Sequence, residues 1–110
     1  MILFFYGTLL DPATLAEKSG DPGLPERCRD AVLRGWRRVA LAGKPYPTLR
    51  RAARGTVRGK IAAVGPRSFR ALAAYEGPSY RLRLVVVEAS NRRIAAHVWI
   101  APGATRRPWP

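Results

Sequence analysis

Two short strings, FYGTLLDP (Phe5 to Pro12) and LAAYEGPSY (Leu72 to Tyr80), constrain the fold most, because each marks a change from one kind of element to another. The apolar run Met1 to Phe5 ends in a glycine turn, which predicts a buried strand. The Asp-Pro pair that closes the first string is typical of a helix N-cap and first turn. We therefore expect a short helix over Ala13 to Lys18, ended by Gly20.

The second string closes a longer helix and precedes a pair of strands. Pro66 opens this helix, its apolar positions recur at helical spacing, and Gly77 stops it, so Glu76 lies on the last turn. Beyond it, the segments Leu82 to Ala89 and Ile94 to Ala101 both alternate between apolar and polar residues. The polar residues between these segments predict an antiparallel hairpin.

The middle of the chain gives weaker signals. Ser19 to Pro25 is rich in glycine and proline and indicates a loop. Ala31 to Leu41 mixes β-branched and aromatic residues with arginines, which favours a strand pair broken near Gly35. Gly43 to Pro47 indicates a turn, and the alternation over Gly55 to Val64 predicts a further strand.

Length and composition fit one domain over residues 1–110. Within it, the segment 102–110 is expected to be irregular, with Trp109 docked on the body of the protein. No stretch approaches the roughly 18 to 20 apolar residues that cross a bilayer. The first residues also lack a basic leader and a cleavage site, so we expect a cytoplasmic protein without a membrane partner.

Cysteine and histidine are too scarce for the usual structural sites that they build. Cys28 is the single cysteine and His97 the single histidine. This count excludes an internal disulfide framework and disfavours a structural zinc site. We expect Cys28 to be a buried or half-buried thiol, and His97, inside an apolar run, to be structural.

The chain carries 20 basic and 7 acidic residues, a formal net charge of +13. Such a field attracts nucleic acid, anionic membranes or acidic metabolites. The arginines are scattered and only Lys18, Lys44 and Lys60 are lysines, which favours an overall compositional bias and solvated faces. Attraction of an acidic substrate and binding of nucleic acid remain the alternatives, and nucleic acid is disfavoured because few aromatic residues alternate with the arginines.

The scarcity of acidic residues narrows the search for carboxylate chemistry. Most of them precede Ala31, where capping and surface roles explain them. Glu88 falls at a strand end, where we expect it to be solvated or paired with an arginine. Glu76 differs, because a carboxylate at a helix C-terminus opposes the helix dipole and is disfavoured there by a few tenths to about 1 kcal/mol. That unfavourable position indicates a functional role.

The turn at Tyr6, Gly7, Thr8 and Leu9 is a candidate anion-binding element. A strand, a turn and a helix in succession leave several backbone N–H groups without partners, and such groups hold a carboxylate or a phosphate. An ordinary tight turn is the alternative interpretation, since a single glycine is a weak signal compared with a full phosphate-binding loop.

Four segments, in this order and at these separations, resemble the γ-glutamylcyclotransferase-like family and especially its small plant and bacterial members. They are FYGTLLDPATL, LRGWRRVALAGKPYPTLR, VRGKIAAV and LAAYEGPSYR. The resemblance spans roughly Met1 to Val87. It implies an α+β fold, a small mixed domain with a twisted, barrel-like, mainly antiparallel sheet and a few short helices.

The resemblance also implies an activity, the expulsion of a γ-glutamyl group as 5-oxoproline with release of a free amine. Glu76 would then be the catalytic acid/base. The residues implied to bind the small-molecule γ-glutamyl substrate are Tyr6, Gly7, Thr8, Leu9, Tyr46 and Tyr80. No cofactor or metal is expected, and monomer and homodimer both remain open.

Two positions depart from the pattern of the family. Relatives often carry an acidic residue where this chain has Ala73 and a basic one where it has Leu82, so the resemblance says less about the leaving amine than about the fold. Arg81 and Arg83 flank Leu82 and replace the basic residue only if the strand register shifts. A non-catalytic module that binds a carboxylate or phosphate on the same fold is the main alternative to an enzyme, and a nucleic-acid-associated basic protein is the second.

Overall fold

A computed structural model describes residues 1–109, in which the strands form one six-stranded sheet. The strands are β1 (Ile2–Phe5), β2 (Arg29–Leu41), β3 (Pro47–Ala63), β4 (Arg81–Ala89), β5 (Arg92–Ile100) and β6 (Ala104–Pro108). Their order in the sheet is β3-β1-β5-β4-β2-β6. The helices are α1 (Pro12–Ser19), α2 (Leu24–Arg27) and α3 (Pro66–Glu76), and a 3-10 turn covers Thr8–Leu10.

Strand β3 closes the sheet into a barrel. It pairs antiparallel with β1 on one side and with β2 on the other, so that the strands from β3 to β2 form a ring and β6 lies outside it against β2. Within residues 1–109, β1 and β5 are the one parallel pair, at Leu3 and His97. This arrangement confirms the predicted small α+β fold with a barrel-like, mainly antiparallel sheet.

Local sequence signals explain the elements that were predicted closely. Asp11 caps α1, its carboxylate accepting the Thr14 backbone N–H at 3.0 Å, and Gly20 ends the helix at φ +69°. The β4–β5 hairpin is tighter than predicted. Ser90 and Asn91 alone form its turn, both at positive φ, so Arg92 already belongs to β5.

The middle of the chain corrects three predictions. Arg29–Leu41 is one strand, because β2 continues through Gly35 at φ +86° while the register with β3 shifts there, the extra residues lying on β3 between Arg51 and Thr56. Strand β3 begins at Pro47 and not at Gly55, since its arginine-rich first half is held by pairing with β2 and shows no alternation of its own. Leu24–Arg27, partly inside the predicted loop, forms the single helical turn α2.

The end of the chain corrects a fourth prediction. Within the segment expected to be irregular, Ala104–Pro108 is strand β6, because the free edge of β2 offers it backbone partners without requiring an apolar pattern. The Trp109 N–H donates to the Arg38 carbonyl oxygen at 3.1 Å, which confirms that Trp109 docks on the body. Pro110 lies outside the described residues.

Two apolar clusters fill the molecule, on either side of β1. The barrel core contains residues from each strand of the ring, including Phe4, Leu33, Val57, Ile61, Val87 and Val98. The helix-side core lies between the sheet and the helices and includes Leu3, Phe5, Leu9, Leu15, Leu72 and Trp99. Because alternate residues of β1 enter different clusters, the turn that follows β1 lies where the two cores meet.

The remaining sequence predictions concern single side chains and membranes. Cys28 is half-buried, as expected, and burial raises the pKa of its thiol. Glu88 is paired with an arginine, its carboxylate accepting a hydrogen bond from the Arg34 guanidinium at 2.7 Å.

The helices within residues 1–109 were also compared with what a membrane span requires, and none has the necessary length and apolar character.

Candidate functional site

A cavity of about 130 Å³ opens where the turn after β1, the start of β3, the end of α3 and the start of β4 meet. Its size is close to the roughly 150 Å³ of an apolar cavity that accommodates benzene, so a ring of five or six atoms fits. The lining residues are Phe4, Phe5, Tyr6, Gly7, Thr8, Leu9, Tyr46, Pro47, Tyr75, Glu76, Tyr80 and Trp99. The structure thus brings every sequence-predicted site residue to one cavity.

Among residues 1–109, Glu76 supplies the only side-chain carboxylate that lines this cavity. It is the last residue of α3, and the Gly77 N–H donates to the Ala73 carbonyl oxygen to complete the final turn. Burial raises the pKa of Glu76 to about 7. A carboxyl group with this pKa exchanges its proton readily at neutral pH.

Arginines do not counteract this effect of burial. The Arg83 guanidinium lies over the Trp36 ring, 5.3 Å from its centroid. None of the ion pairs within residues 1–109 includes Glu76. Burial therefore sets the direction of the shift in the pKa of Glu76.

The turn Tyr6 to Leu9 lines the cavity and contains successive backbone donors. The first hydrogen bonds of the 3-10 turn run from the Leu10 N–H to the Gly7 carbonyl at 3.0 Å and from the Asp11 N–H to the Thr8 carbonyl at 3.2 Å. The N–H groups of Gly7, Thr8 and Leu9 precede these bonds and have no acceptor among residues 1–109. Consecutive free amides of this kind form an anion-binding nest.

Tyrosines form much of the remaining wall. The buried Tyr6 hydroxyl donates to the Trp99 carbonyl oxygen at 2.6 Å, and burial raises the pKa of this phenol far above its ordinary value. The Tyr80 hydroxyl donates to the Pro47 carbonyl oxygen at 3.1 Å, and burial followed by the nearby Glu76 carboxylate raises the pKa of Tyr80 to about 12. Tyr46, 47% exposed, lies at the mouth. The phenols of Tyr6 and Tyr80 therefore stay protonated near neutral pH and act as neutral groups.

Sequence reasoning missed several lining residues. These are Phe4, Phe5, Pro47, Tyr75 and Trp99. Tyr75 is one of the apolar positions that predicted its helix, and its hydroxyl shares a hydrogen bond of 2.7 Å with the Thr8 hydroxyl at the cavity. Its position directly before Glu76 was the one feature of the sequence that could have indicated a place in the site. Trp99 is distant in sequence, and only the topology brings it here.

The two positions that depart from the expected pattern lie outside the cavity lining. Ala73 packs against the helix-side core. Leu82 is partly exposed on β4, opposite Trp99 on β5. Neither side chain alters the polarity of the cavity wall.

The site therefore combines a half-buried carboxyl group of near-neutral pKa with a set of free amides. Together they can hold an anionic or polarised carbonyl oxygen and transfer a proton beside it. No three His, Cys, Asp or Glu side chains within residues 1–109 are grouped as metal ligands.

Comparison with known sequences matches the chain to one family and to a relative from a plant. The sequence model of the family "Gamma-glutamyl cyclotransferase, AIG2-like" matches residues 3–109. Protein AIG2 C of Arabidopsis thaliana is 32% identical over 106 residues, a match that covers 89% of this chain and 61% of that protein. The chain thus spans about three fifths of the length of this relative.

Solved structures share the architecture. The solution structure of an Arabidopsis thaliana protein is 25% identical with a TM-score of 0.79, covering 99% of this chain and 74% of the other. A protein described as gamma-glutamyl cyclotransferase is 14% identical with a TM-score of 0.79, covering 96% and 68%. YkqA from Bacillus subtilis is 19% identical with a TM-score of 0.78, covering 100% and 43%. The last two likenesses show the fold alone.

Proposed function

This chain belongs to the AIG2-like gamma-glutamyl cyclotransferase family, and we propose that it is itself a cofactor-independent γ-glutamyl cyclotransferase with Glu76 as its acid/base. Its substrate is a small γ-glutamyl amine, peptide or metabolite, and its products are 5-oxoproline and a free amine. The observation that carries the proposal is the Glu76 carboxyl, with a pKa of about 7, on the wall of a cavity that Gly7, Thr8 and Leu9 also line.

The reaction needs no nucleophile from the protein. The α-amine of the γ-glutamyl group attacks its own γ-carbonyl carbon, a C–N bond forms to close the five-membered ring, and the original amide C–N bond breaks. Holding the chain folded on itself is worth an effective molarity of about 10⁵ to 10⁸ M when the geometry is right. A cavity of about 130 Å³ has room for the five-membered ring that this folding forms.

Glu76 transfers the proton that this reaction displaces. As a carboxylate it takes a proton from the attacking amine, and as a carboxylic acid it returns that proton to the departing amine. A pKa of about 7 makes both forms available at neutral pH. One residue thus serves as base and then as acid.

The free amides of the turn supply the electrostatic part of catalysis. Negative charge develops on the γ-carbonyl oxygen when the amine attacks, and fixed N–H donors stabilise it. The donors of Gly7, Thr8 and Leu9 are held by the 3-10 turn and need no rearrangement. The neutral tyrosines give the γ-glutamyl group a wall without a competing charge.

The test is release of 5-oxoproline, measured by mass spectrometry, from a panel of γ-glutamyl amines, dipeptides and γ-glutamyl-capped metabolites. Wild type is compared with Glu76→Gln and with Glu88→Gln, whose carboxylate is paired with Arg34 away from the cavity. We expect Glu76→Gln to lose about 10²- to 10⁴-fold in rate, and Glu88→Gln to match wild type.

Two results contradict the proposal in different ways. Equal rates for Glu76→Gln and wild type would remove Glu76 from the mechanism. No release from any member of the panel by folded wild type would favour a non-catalytic module that binds the same ligands.

A further inference from the structure

Arg38 contacts the anion-binding turn from outside the cavity. It belongs to β2, and its Nη1 donates to the Tyr6 carbonyl oxygen at 2.8 Å in a partly buried position. Tyr6 and Gly7 both line the cavity, whereas Arg38 does not. The guanidinium therefore binds the turn from the side that is not part of the cavity wall.

The geometry of the peptide bond converts this contact into an orientation of the Gly7 amide. The Tyr6 C=O and the Gly7 N–H belong to one planar trans peptide, in which the two groups point in opposite directions. A carbonyl held toward β2 therefore turns the N–H away from β2. That N–H has no acceptor among residues 1–109 and remains free for a ligand.

The charge of Arg38 acts in the same direction. A hydrogen bond from a cation is stronger than a neutral one, and it polarises the peptide whose carbonyl it holds, so the N–H at the other side becomes a better donor. None of the ion pairs within residues 1–109 includes Arg38. The guanidinium that contacts the turn therefore keeps its positive charge unpaired by a carboxylate of residues 1–109.

The backbone around Arg38 is fixed on both sides. Arg38 pairs with the buried Leu49 on β3, and its carbonyl oxygen accepts the Trp109 N–H at 3.1 Å. The neighbouring Arg37 is exposed and points to the other face of the strand, opposite Arg50. This neighbour provides a matched control that carries the same charge without the contact.

From this arrangement we infer that Arg38 is a positioning residue, which orients and polarises the Tyr6–Gly7 peptide so that the Gly7 N–H donates to the γ-carbonyl oxygen of the substrate. This inference rests on the proposed function for its catalytic consequence. Its structural consequence, a change at the Gly7 amide, is independent of turnover.

Kinetics test the catalytic part. With the panel substrate that wild type turns over, we expect Arg38→Met to lower kcat roughly 10- to 100-fold with little change in KM, somewhat less than the 10²- to 10³-fold cost of losing a whole oxyanion donor. Arg38→Lys, which keeps one charged donor, should recover most of the rate. Arg37→Met should match wild type. An unchanged kcat in Arg38→Met overturns the inference and leaves the proposed function standing.

Amide spectra test the structural part in the same variants. In ¹H–¹⁵N spectra of the full chain, the Gly7 cross-peak should shift in Arg38→Met and stay in place in Arg37→Met. Titration with 5-oxoproline should perturb Gly7, Thr8 and Leu9 in wild type, with about 10-fold weaker binding in Arg38→Met, the effect of a weakened charge-assisted donor. These results in a protein that releases no 5-oxoproline would remove the proposed function and keep the role of Arg38.

The opposite spectra overturn the inference. An unmoved Gly7 cross-peak in folded Arg38→Met, or equal affinity for 5-oxoproline in that variant and wild type, excludes orientation of the amide by Arg38. The absence of any perturbation of the turn by 5-oxoproline in wild type contradicts the other half of the inference, that the Gly7 N–H donates to the ligand. If Arg38→Met does not fold, the same comparisons are made with Arg38→Lys, for which a smaller shift of Gly7 is expected and an unchanged position is contradictory.

Discussion

Burial gives Glu76 opposite effects on chemistry and on stability. It raises the pKa of the carboxyl from 4.5 to about 7, which suits proton transfer at neutral pH. The same shift means that the folded state holds the proton more tightly than the unfolded chain. The free energy of unfolding should therefore fall as the pH rises from about 4.5 to about 7 and level off above that range.

Replacement of Glu76 by glutamine should for this reason stabilise the protein at high pH. At pH 8 the wild type carries a buried charge that glutamine lacks, and we expect Glu76→Gln to gain about 1 to 3 kcal/mol, since each unit of pKa shift corresponds to about 1.4 kcal/mol. At pH 4 the carboxyl is largely neutral in both states, so the gain should nearly vanish. Urea unfolding at both pH values measures it, and Glu88→Gln, at an exposed pair, is the control. A gain that is equal at the two pH values would contradict the assignment.

The two cavity tyrosines should differ in their contribution to stability. The Tyr6 hydroxyl is buried and donates to the Trp99 carbonyl, whereas the Tyr80 hydroxyl donates to the Pro47 carbonyl in a partly exposed place. We expect Tyr6→Phe to cost about 1 to 3 kcal/mol, because it leaves a buried acceptor without that donor, and Tyr80→Phe to cost less than about 1 kcal/mol, because water replaces the hydroxyl. Urea unfolding compares the two variants. A larger loss in Tyr80→Phe would reverse this ranking.

At single positions, the sequence predicted the ionisable residue of the site better than the apolar residues that line the cavity. Glu76 stood out because acids are scarce and a helix C-terminus disfavours them, and it does line the cavity. Phe4 and Trp99 gave no such signal, since an apolar side chain in a strand is equally compatible with any buried surface. Whether Tyr46 and Tyr80 bind substrate stays a prediction, although both line the cavity.

Among strands and helices, prediction succeeded where a local sequence signal existed and failed where only pairing with another strand makes a segment a strand. The cap at Asp11 and the stop at Gly77 fixed α1 and α3 closely. The first half of β3 and the whole of β6 carry arginines without alternation, and only their pairing with β2 makes them strands. The closure of the barrel by β3 was available only through the resemblance to a family, since no local pattern reports a strand with two partners.

The crossing of β3 and β1 gives an element-level prediction. A side chain at Gly59 would place its Cβ 2.8 Å from two atoms of the Phe4 ring and closer still to the Phe5 carbonyl oxygen. We expect Gly59→Ala to cost about 1 to 3 kcal/mol or more, because backbone and core must both shift. The exposed neighbour Arg58→Ala should stay within about 0.5 kcal/mol of wild type. Thermal and urea unfolding provide the comparison, and an unaffected Gly59→Ala would show that the two strands separate easily.

For the chain as a whole, the repulsion between its many positive charges affects stability more than its ion pairs do. The formal net charge is +13, and no acidic residue lies between Asp30 and Glu76. Across β2 and β3 this places Arg37 directly opposite Arg50. Like charges at such paired positions are destabilising. The ion pairs, with largely exposed side chains, contribute little in return.

Salt should therefore stabilise this protein. Mutual repulsion is stronger in the compact state than in the expanded chain, and raising the ionic strength from about 0.01 to 0.1 M shortens the screening length from roughly 30 to 10 Å. We expect the free energy of unfolding in urea to rise by roughly 1 kcal/mol over this range of sodium chloride, comparable to one close charge pair in water. Arg50→Glu converts the repulsive Arg37–Arg50 pair into an attractive one and should flatten the dependence, whereas Arg93→Glu, opposite Glu88, should not. A free energy that falls with added salt would mean that the exposed ion pairs outweigh the repulsion of the arginines.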